Sequence, residues 1–168
     1  ETRLIEKGSK CKITAAEGIF SELRKIKSKK EVERLEKSVA ITEAAIEYSS
    51  GRVKPGMTEK DLEKIYKKRL IELGAEPGFC LIGFGPHSAE SCIPSEIALK
   101  EGDVVLYDVG CSYKGYASDI ARTFLFEYSD SEIEMKYDIL KKGMDKEISL
   151  IEKGACTSDI FRETMRYI

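Results

Sequence analysis

The sequence has little of several features that would mark common protein classes. Its net charge is only −2, with 28 basic and 30 acidic residues, so the chain as a whole gives no sign of nucleic-acid or anionic-membrane binding. No apolar run approaches the ~20 residues of a membrane span, and neither a signal-peptide pattern nor a glycine-rich phosphate loop is present. We therefore expect neither a nucleic acid nor a membrane as partner.

The cysteines are odd in number, scattered, and contain no C-x-x-C pair. They are Cys11, Cys80, Cys92, Cys111 and Cys156. This usage favours free thiols in a reducing compartment, and hence a cytoplasmic protein. A zinc set of Cys80, His87, Cys92 and Cys111 is the alternative, but its irregular spacing is more typical of buried, inert cysteines.

The remaining composition is that of a globular protein, with 168 residues, 42% hydrophobic and 35% charged. The predicted elements are a helix from the capping box at Ser28 to Gly51, a helix from Thr58 to Gly74, a strand over 79–84, a hairpin over 103–126, a long helix from the capping box at Ser129 to Gly154, and a final helix from about Ser158. The clear strand pairing is antiparallel, which predicts an α+β fold.

Apolar spacing also predicts which side of each helix faces inward. The predicted inward residues are Val32, Leu35, Val39, Thr42 and Ile46 in the first helix, Leu62, Ile65, Tyr66, Leu70 and Leu73 in the second, Ile133, Tyr137, Leu140, Met144, Ile148 and Ile151 in the long helix, and Phe161, Met165 and Ile168 in the last.

Asp108 and Asp119 are the strongest candidates for site residues. A hairpin that turns about the Tyr113–Lys114 bond places the two carboxylates directly opposite each other, on faces whose other residues are apolar or small. At ~5 Å and an effective dielectric near 20, their repulsion costs about 3 to 4 kcal/mol. A divalent cation is the simplest compensation. Two alternatives stay open, namely an exposed hairpin with solvated acids and a bulge that separates them.

His87 and Cys92 are the candidate catalytic residues. His87 is the only histidine and lies in a loop rich in glycine, proline and serine, where site residues are common. An ordinary surface histidine is the alternative. Cys92 follows five residues later, and no second histidine is available to activate it as a nucleophile.

Three stretches resemble the pita-bread metallopeptidases, the family of Xaa-Pro dipeptidases (prolidases), Xaa-Pro aminopeptidases, methionine aminopeptidases and creatinase. They are residues 23–35, the turn 53–59 (Val-Lys-Pro-Gly-Met-Thr-Glu), and the hairpin 102–124 with Gly-Asp-Val-Val-Leu-Tyr-Asp-Val-Gly and Gly-Tyr-Ala-Ser-Asp-Ile-Ala-Arg-Thr-Phe. The Xaa-Pro dipeptidase branch is the most similar. The resemblance implies the first half of a pita-bread fold, with residues 1–22 as the tail of a preceding amino-terminal domain and 23–168 as an incomplete catalytic domain.

The same resemblance implies a metal site of two Asp, one His and two Glu that holds two divalent ions (Mn, Co, Zn or Fe). Asp108 and Asp119 match the two aspartates, whereas the other three ligands come later in the family sequence. Cys92 stands where the family has a substrate-contacting histidine, and His87 where an Asn is usual. We expect hydrolysis of small Xaa-Pro peptides by the intact protein, little activity and weak or absent metal binding in this chain, and possible homo-oligomers. A non-catalytic module that binds peptides or proteins is the alternative.

Overall fold

The computed structural model describes residues 16–90, 92–127, 131–152 and 154–166. The helices are α1 (Glu17–Lys25), α2 (Lys29–Ser50), α3 (Glu59–Glu72), α4 (Ser131–Glu152) and α5 (Thr157–Thr164), and the strands are β1 (Glu76–Phe84), β2 (Val104–Tyr113), β3 (Tyr116–Ala117) and β4 (Ile120–Leu125). A short 3-10 helix, Gly85–Ala89, follows β1. The predicted order of elements and the α+β class are confirmed. The predicted amino-terminal tail lies largely outside the described residues, and the boundary at residue 23 stays a prediction.

Strand β2 is the centre of an antiparallel sheet, with β1 on one side and β4 on the other. The two residues of the β2–β3 turn, Lys114 and Gly115, both have positive φ, 50° and 82°. The chain therefore turns about the Lys114–Gly115 bond, which is the geometry of a two-residue hairpin loop. The predicted register is wrong by two residues for this reason, and Asp108 lies opposite Ala121 instead of Asp119.

The core lies between one face of the sheet and helices α2 and α3. Alternate residues of β2 point into it, and Val105, Tyr107, Val109 and Cys111 are almost completely buried. Helix α2 packs on β2, and α3 packs on β1. The opposite face of β2, which carries Asp108, is only half-buried.

The buried side of α2 differs in part from the prediction. Its buried residues are Ser38, Ile41, Thr42, Ala45, Ile46 and Ser49. Val32 and Val39 are each 40% exposed, so these two assignments are wrong. The helix turns small and polar side chains toward β2, and these bond to sheet atoms such as the sulfur of Cys111 and the hydroxyl of Tyr107. An apolar-only pattern misses such a face.

Helix α3 agrees with the prediction. Leu62, Tyr66 and Leu70 are fully buried. Both this helix and α2 start with the predicted side-chain caps, since Ser28 and Thr58 each accept a hydrogen bond from the third residue of the helix.

Helix α4 is present, but its predicted inward stripe is mostly exposed. Tyr137, Leu140, Met144, Ile148 and Ile151 are each about half exposed. Gly143 is the one buried residue of α4, which packs mainly on α5. The stripe has the helical period, but from Tyr137 onward it stays about half exposed in the described part of the chain. The possible homo-oligomers expected from the sequence, which followed from an uncovered face of the sheet, stay a prediction.

The predictions for α4 and α5 also include residues that the structure does not describe. The capping residue Ser129, with Ile168 at the chain end, lies outside the described residues. Phe161 of α5 and Met165, which directly follows the helix, are at least half exposed, so their predicted inward orientation is wrong. Among the described residues, no helix combines the length and the apolar character that crossing a bilayer requires.

Candidate functional site

The two aspartates lie on the same half-open face of the hairpin. Since Val109 pairs with Ile120, the register continues to place Asp119 opposite Gly110, diagonal to Asp108. Diagonal neighbours on one face are about 7–8 Å apart. The predicted shared face is therefore retained, but the predicted direct opposition is wrong. Asp108 is half-buried and Asp119 is exposed, so the predicted burial holds only in part.

The ionisation of Asp108 depends on its surroundings. Burial, and then the negative charge of Asp119, raise the pKa of Asp108 above its ordinary value. Arg122 offers no compensation there, because its side chain bonds to Glu43 of α2 at 3.1 Å. Arg122, the arginine of β4, therefore does not neutralise the negative charge of the two aspartates.

A buried polar cluster fixes the chain just before Asp119. The hydroxyl groups of Ser118 and Thr42 lie 2.7 Å apart, and the backbone N–H of Cys111 donates to Ser118 Oγ at 3.1 Å. The backbone N–H of Ser118 donates to the carbonyl of Cys111 at 3.0 Å. Gly110 permits this approach, because a Cβ there would overlap the carbonyl oxygen of Ser118. Helix α2 and strand β2 together therefore fix the position of the main chain that leads into Asp119.

The cysteines do not form the zinc set considered from the sequence. Cys111 belongs to the core, whereas Cys92 lies in the loop after β1, and burial raises the pKa of Cys80 to about 12. Cys156 is exposed and Cys11 lies outside the described residues. Within the described ranges, no three or more His, Cys, Asp or Glu side chains come together as a metal site.

Cys92 is a buried thiol that bonds to the main chain. It is 4% exposed, has a positive φ of 51°, and its sulfur lies 3.3 Å from the carbonyl oxygen of Ser88 and 3.4 Å from those of His87 and Glu90. Burial, followed by the negative charges of Glu59 and Asp108, raises its pKa. Cys92 therefore remains a protonated thiol near Asp108, which disfavours a nucleophilic role.

Glu59 is a site residue that the sequence reasoning missed. Its side chain is completely buried in the first turn of α3. Oε1 accepts hydrogen bonds from the backbone N–H of Phe84 at 2.9 Å and from Nδ1 of His87 at 2.8 Å. Oε2 accepts from the backbone N–H and the hydroxyl of Ser95, at 2.9 and 2.7 Å. One carboxylate thus joins α3 to both ends of the loop over residues 85–95.

The ionisation of Glu59 follows from these contacts. Burial by itself would raise its pKa, but the hydrogen bonds from His87, Ser95 and Phe84 outweigh it and hold the pKa below the ordinary value. A signal was available in the sequence, because Glu59 precedes Leu62 and Tyr66 by three and seven positions. A carboxylate on the apolar face of a helix needs a partner.

Comparison with known proteins places this α+β fold among metal-dependent peptidases. Residues 33–168 match Metallopeptidase family M24, and the chain belongs to this family. It is 30% identical over 176 residues to an Xaa-Pro aminopeptidase of Escherichia coli, an alignment that covers 96% of this chain and 39% of that protein. The resemblance to the pita-bread metallopeptidases is therefore confirmed at the level of the family.

Solved structures of similar proteins show the same fold. A prolidase from Pyrococcus furiosus superposes with a TM-score of 0.74 and 28% identity, covering 77% of this chain and 40% of that one. The dipeptidase PepE from Mycobacterium ulcerans gives a TM-score of 0.76 and 26% identity, covering 80% and 37%. The predicted pita-bread fold is confirmed, and the chain spans about two-fifths of the length of these relatives.

The electrostatic strain of the aspartate pair leads to a stability prediction. Replacing Asp108 with Asn should stabilise the metal-free chain by up to about 1 kcal/mol, a modest gain because Asp119 is exposed and solvent screens its charge. The raised pKa means that the cost exists at neutral pH and is relieved as the pH falls. The gain in the free energy of unfolding, measured with urea, should therefore become smaller in acid. Asp145→Asn on the exposed side of α4 is the control and should change little.

Proposed function

We propose that this chain supplies the first two metal ligands, Asp108 and Asp119, of an Xaa-Pro peptidase. The observation that carries the proposal is the presence of both carboxylates on one face of a hairpin, in a chain of a metallopeptidase family. The donor set fits a hard divalent cation, because carboxylate oxygens suit such ions and the two aspartates share one face while Arg122 bonds to Glu43 instead of to them. Bound divalent ions would activate a water and polarise the scissile carbonyl.

The residues of this chain would act by positioning. The cluster of Thr42, Ser118 and Cys111 fixes Asp119, and the ladder to β1 and β4 fixes Asp108. Small Xaa-Pro peptides are the proposed substrates, since the relatives include an Xaa-Pro aminopeptidase and a prolidase. Two ligands hold a cation weakly, so we expect the 168-residue chain by itself to turn over such peptides little or not at all.

Mn²⁺ binding measured by the electron paramagnetic resonance signal of the free ion tests this proposal. The chain should bind with a dissociation constant of about 1 mM, which corresponds to ~4 kcal/mol. Asp108→Asn and Asp119→Asn should each weaken binding about tenfold, whereas Asp145→Asn should not. Equal binding by all four proteins would refute the metal site. Hydrolysis of Ala-Pro at about 1 s⁻¹ or faster would refute the expected inactivity of the isolated chain.

A non-catalytic peptide-binding module is the second candidate. Cys92 favours it, because a buried, protonated thiol supplies neither a proton at neutral pH nor a nucleophile. Calorimetry with Ala-Pro distinguishes the two proposals. Binding that needs no divalent ion and survives Asp108→Asn supports the module, and binding that requires the ion and both aspartates supports the metallopeptidase.

A further inference from the structure

We infer that helix α1 of one chain binds in an apolar groove beside α4 of a second copy of this chain, and that the two copies make this contact twice in a two-fold dimer. The inference goes beyond the proposed function, because neither surface contains Asp108 or Asp119.

Helix α1 has an apolar side that is exposed to solvent. None of its residues is buried by the described part of the chain. Ile19, Leu23 and Ile26, the last of which directly follows the helix, are between 66% and 86% exposed. They lie at positions i, i+4 and i+7, which is the anchor spacing of a helix that binds in a groove. Phe20 adds an exposed aromatic ring beside them.

A groove that could receive such a helix lies between the end of β4 and the start of α4. It is open and has a volume of about 470 Å³. Its apolar walls come from both elements, namely Phe124, Leu125, Ile133 and Tyr137. The residues that line the groove all lie between positions 104 and 138, so α1 of the same chain contributes nothing to it.

The two surfaces carry opposite charges. Arg24 and Lys27 lie next to Phe20 on α1 and the link that follows it, whereas the neighbouring Lys25 pairs with Glu22 of the same helix. Glu134 and Asp138, one helical turn apart on α4, lie along the wall of the groove. A basic edge beside an apolar stripe thus matches an acidic edge beside an apolar groove, and such complementarity gives an interface its specificity and orientation.

The groove is too far from α1 for the two to meet within one chain. Helix α2 starts at the turn end of the hairpin, where Glu31 accepts a hydrogen bond from the Tyr116 hydroxyl, and it ends near the hydroxyl of Tyr107, which Ser49 contacts. Its 22 residues span about 33 Å. The groove lies at the far end, near the start of β2, whereas residues 26–28, which link α1 to α2, span only about 10 Å.

This separation favours a second copy as the partner. Because α1 and the groove lie at opposite ends of α2, two chains that run antiparallel bring each α1 to the groove of the other. One two-fold axis then satisfies both contacts, as in most homodimers.

Sedimentation velocity of the full 168-residue chain tests the inference, in reducing buffer because Cys156 is exposed. Wild type should form a reversible dimer whose share rises between about 1 and 100 μM protein and falls with added salt. Leu23→Ser, at an exposed position, should weaken the dimer at least about tenfold. The controls Lys68→Glu on α3 and Asp145→Lys on α4 are exposed and lie outside both surfaces, so they should change nothing. A wild-type monomer throughout overturns the inference.

A charge exchange identifies which surfaces meet. One protein carries Arg24→Glu with Lys27→Glu, and the other carries Glu134→Lys with Asp138→Lys. Each protein by itself brings like charges together and should stay monomeric, whereas their mixture restores opposite charges in both contacts and should dimerise. If the second protein does not fold by circular dichroism, Asp138→Lys by itself replaces it.

The remaining outcomes contradict the inference. A dimer that is lost only through the α4 substitutions would pair α4 with α4, and one that is lost only through the α1 substitutions would pair α1 with α1. A mixture of folded variants that stays monomeric would show that the two surfaces do not meet.

Discussion

Replacing Glu59 with Ala should destabilise the protein by about 3–5 kcal/mol, the range seen when one partner is removed from a buried charged network. The substitution leaves the N–H groups of Phe84 and Ser95, the Ser95 hydroxyl and Nδ1 of His87 without their acceptor. It also leaves a cavity in a region that is fully buried. The loop over residues 85–95 should lose its attachment to α3 first.

Urea unfolding followed by circular dichroism measures this loss, with Glu63→Ala as the control. Glu63 lies on the same helix and pairs with the partly exposed Lys67, so its removal should cost only about 1 kcal/mol. A loss of only about 1 kcal/mol for Glu59→Ala as well would show that the loop is held by other contacts.

The same network should make stability depend on pH. The pKa of Glu59 in the folded chain is below its ordinary value of 4.5. Its contribution is therefore complete above that ordinary value and is lost as the pH falls through the lower folded pKa. Glu59→Gln has no charge to lose, so the difference in stability between wild type and this variant should narrow in acid.

Replacing Gly110 with Ala should cost about 3 kcal/mol, at the upper end of the range for overpacked sites. The added Cβ would overlap the carbonyl oxygen of Ser118 and lie 3.0 Å from the ring of Phe79. A backbone oxygen cannot turn aside as a side chain can, so the segment that carries Ser118 and Asp119 must move. Loss of Mn²⁺ affinity of at least about tenfold should accompany the loss of stability.

Gly18→Ala is the matched control, since nothing lies within 4 Å of the added Cβ in helix α1. Alanine favours helix over glycine by about 1 kcal/mol, so this variant should be unchanged or slightly more stable. Gly110→Ala with wild-type stability and wild-type Mn²⁺ affinity would contradict the role given to the Gly110–Ser118 contact.

Local patterns in the sequence predicted much of the fold and the key hairpin. Residues only a few positions apart determine the caps at Ser28 and Thr58 and the alternation in β2, so the sequence predicts these features directly. The hairpin register could not be predicted in this way. The chain can turn about the Tyr113–Lys114 or the Lys114–Gly115 bond, and the choice depends on whether Lys114 adopts positive φ. That choice moved Asp108 from a direct to a diagonal neighbour of Asp119.

Features that depend on distant segments were harder to predict. The partners of Glu59 lie 25 to 36 positions further along the chain, and Thr42 meets Ser118 across 76 positions. The apolar period of α4 correctly gave a helix but not its surroundings, because period reports which residues share a side and not whether another element covers that side.

The hairpin that carries both aspartates also affects how the chain folds. Its contacts are local, and hairpins of this kind form within about 1–10 μs, before contacts between distant segments. A folding transition state that contains the hairpin already brings the two charges together. Their repulsion would then slow folding and leave the unfolding rate nearly unchanged. The acidic pair would in that case be a barrier to acquiring the structure, with little effect on how long the structure lasts.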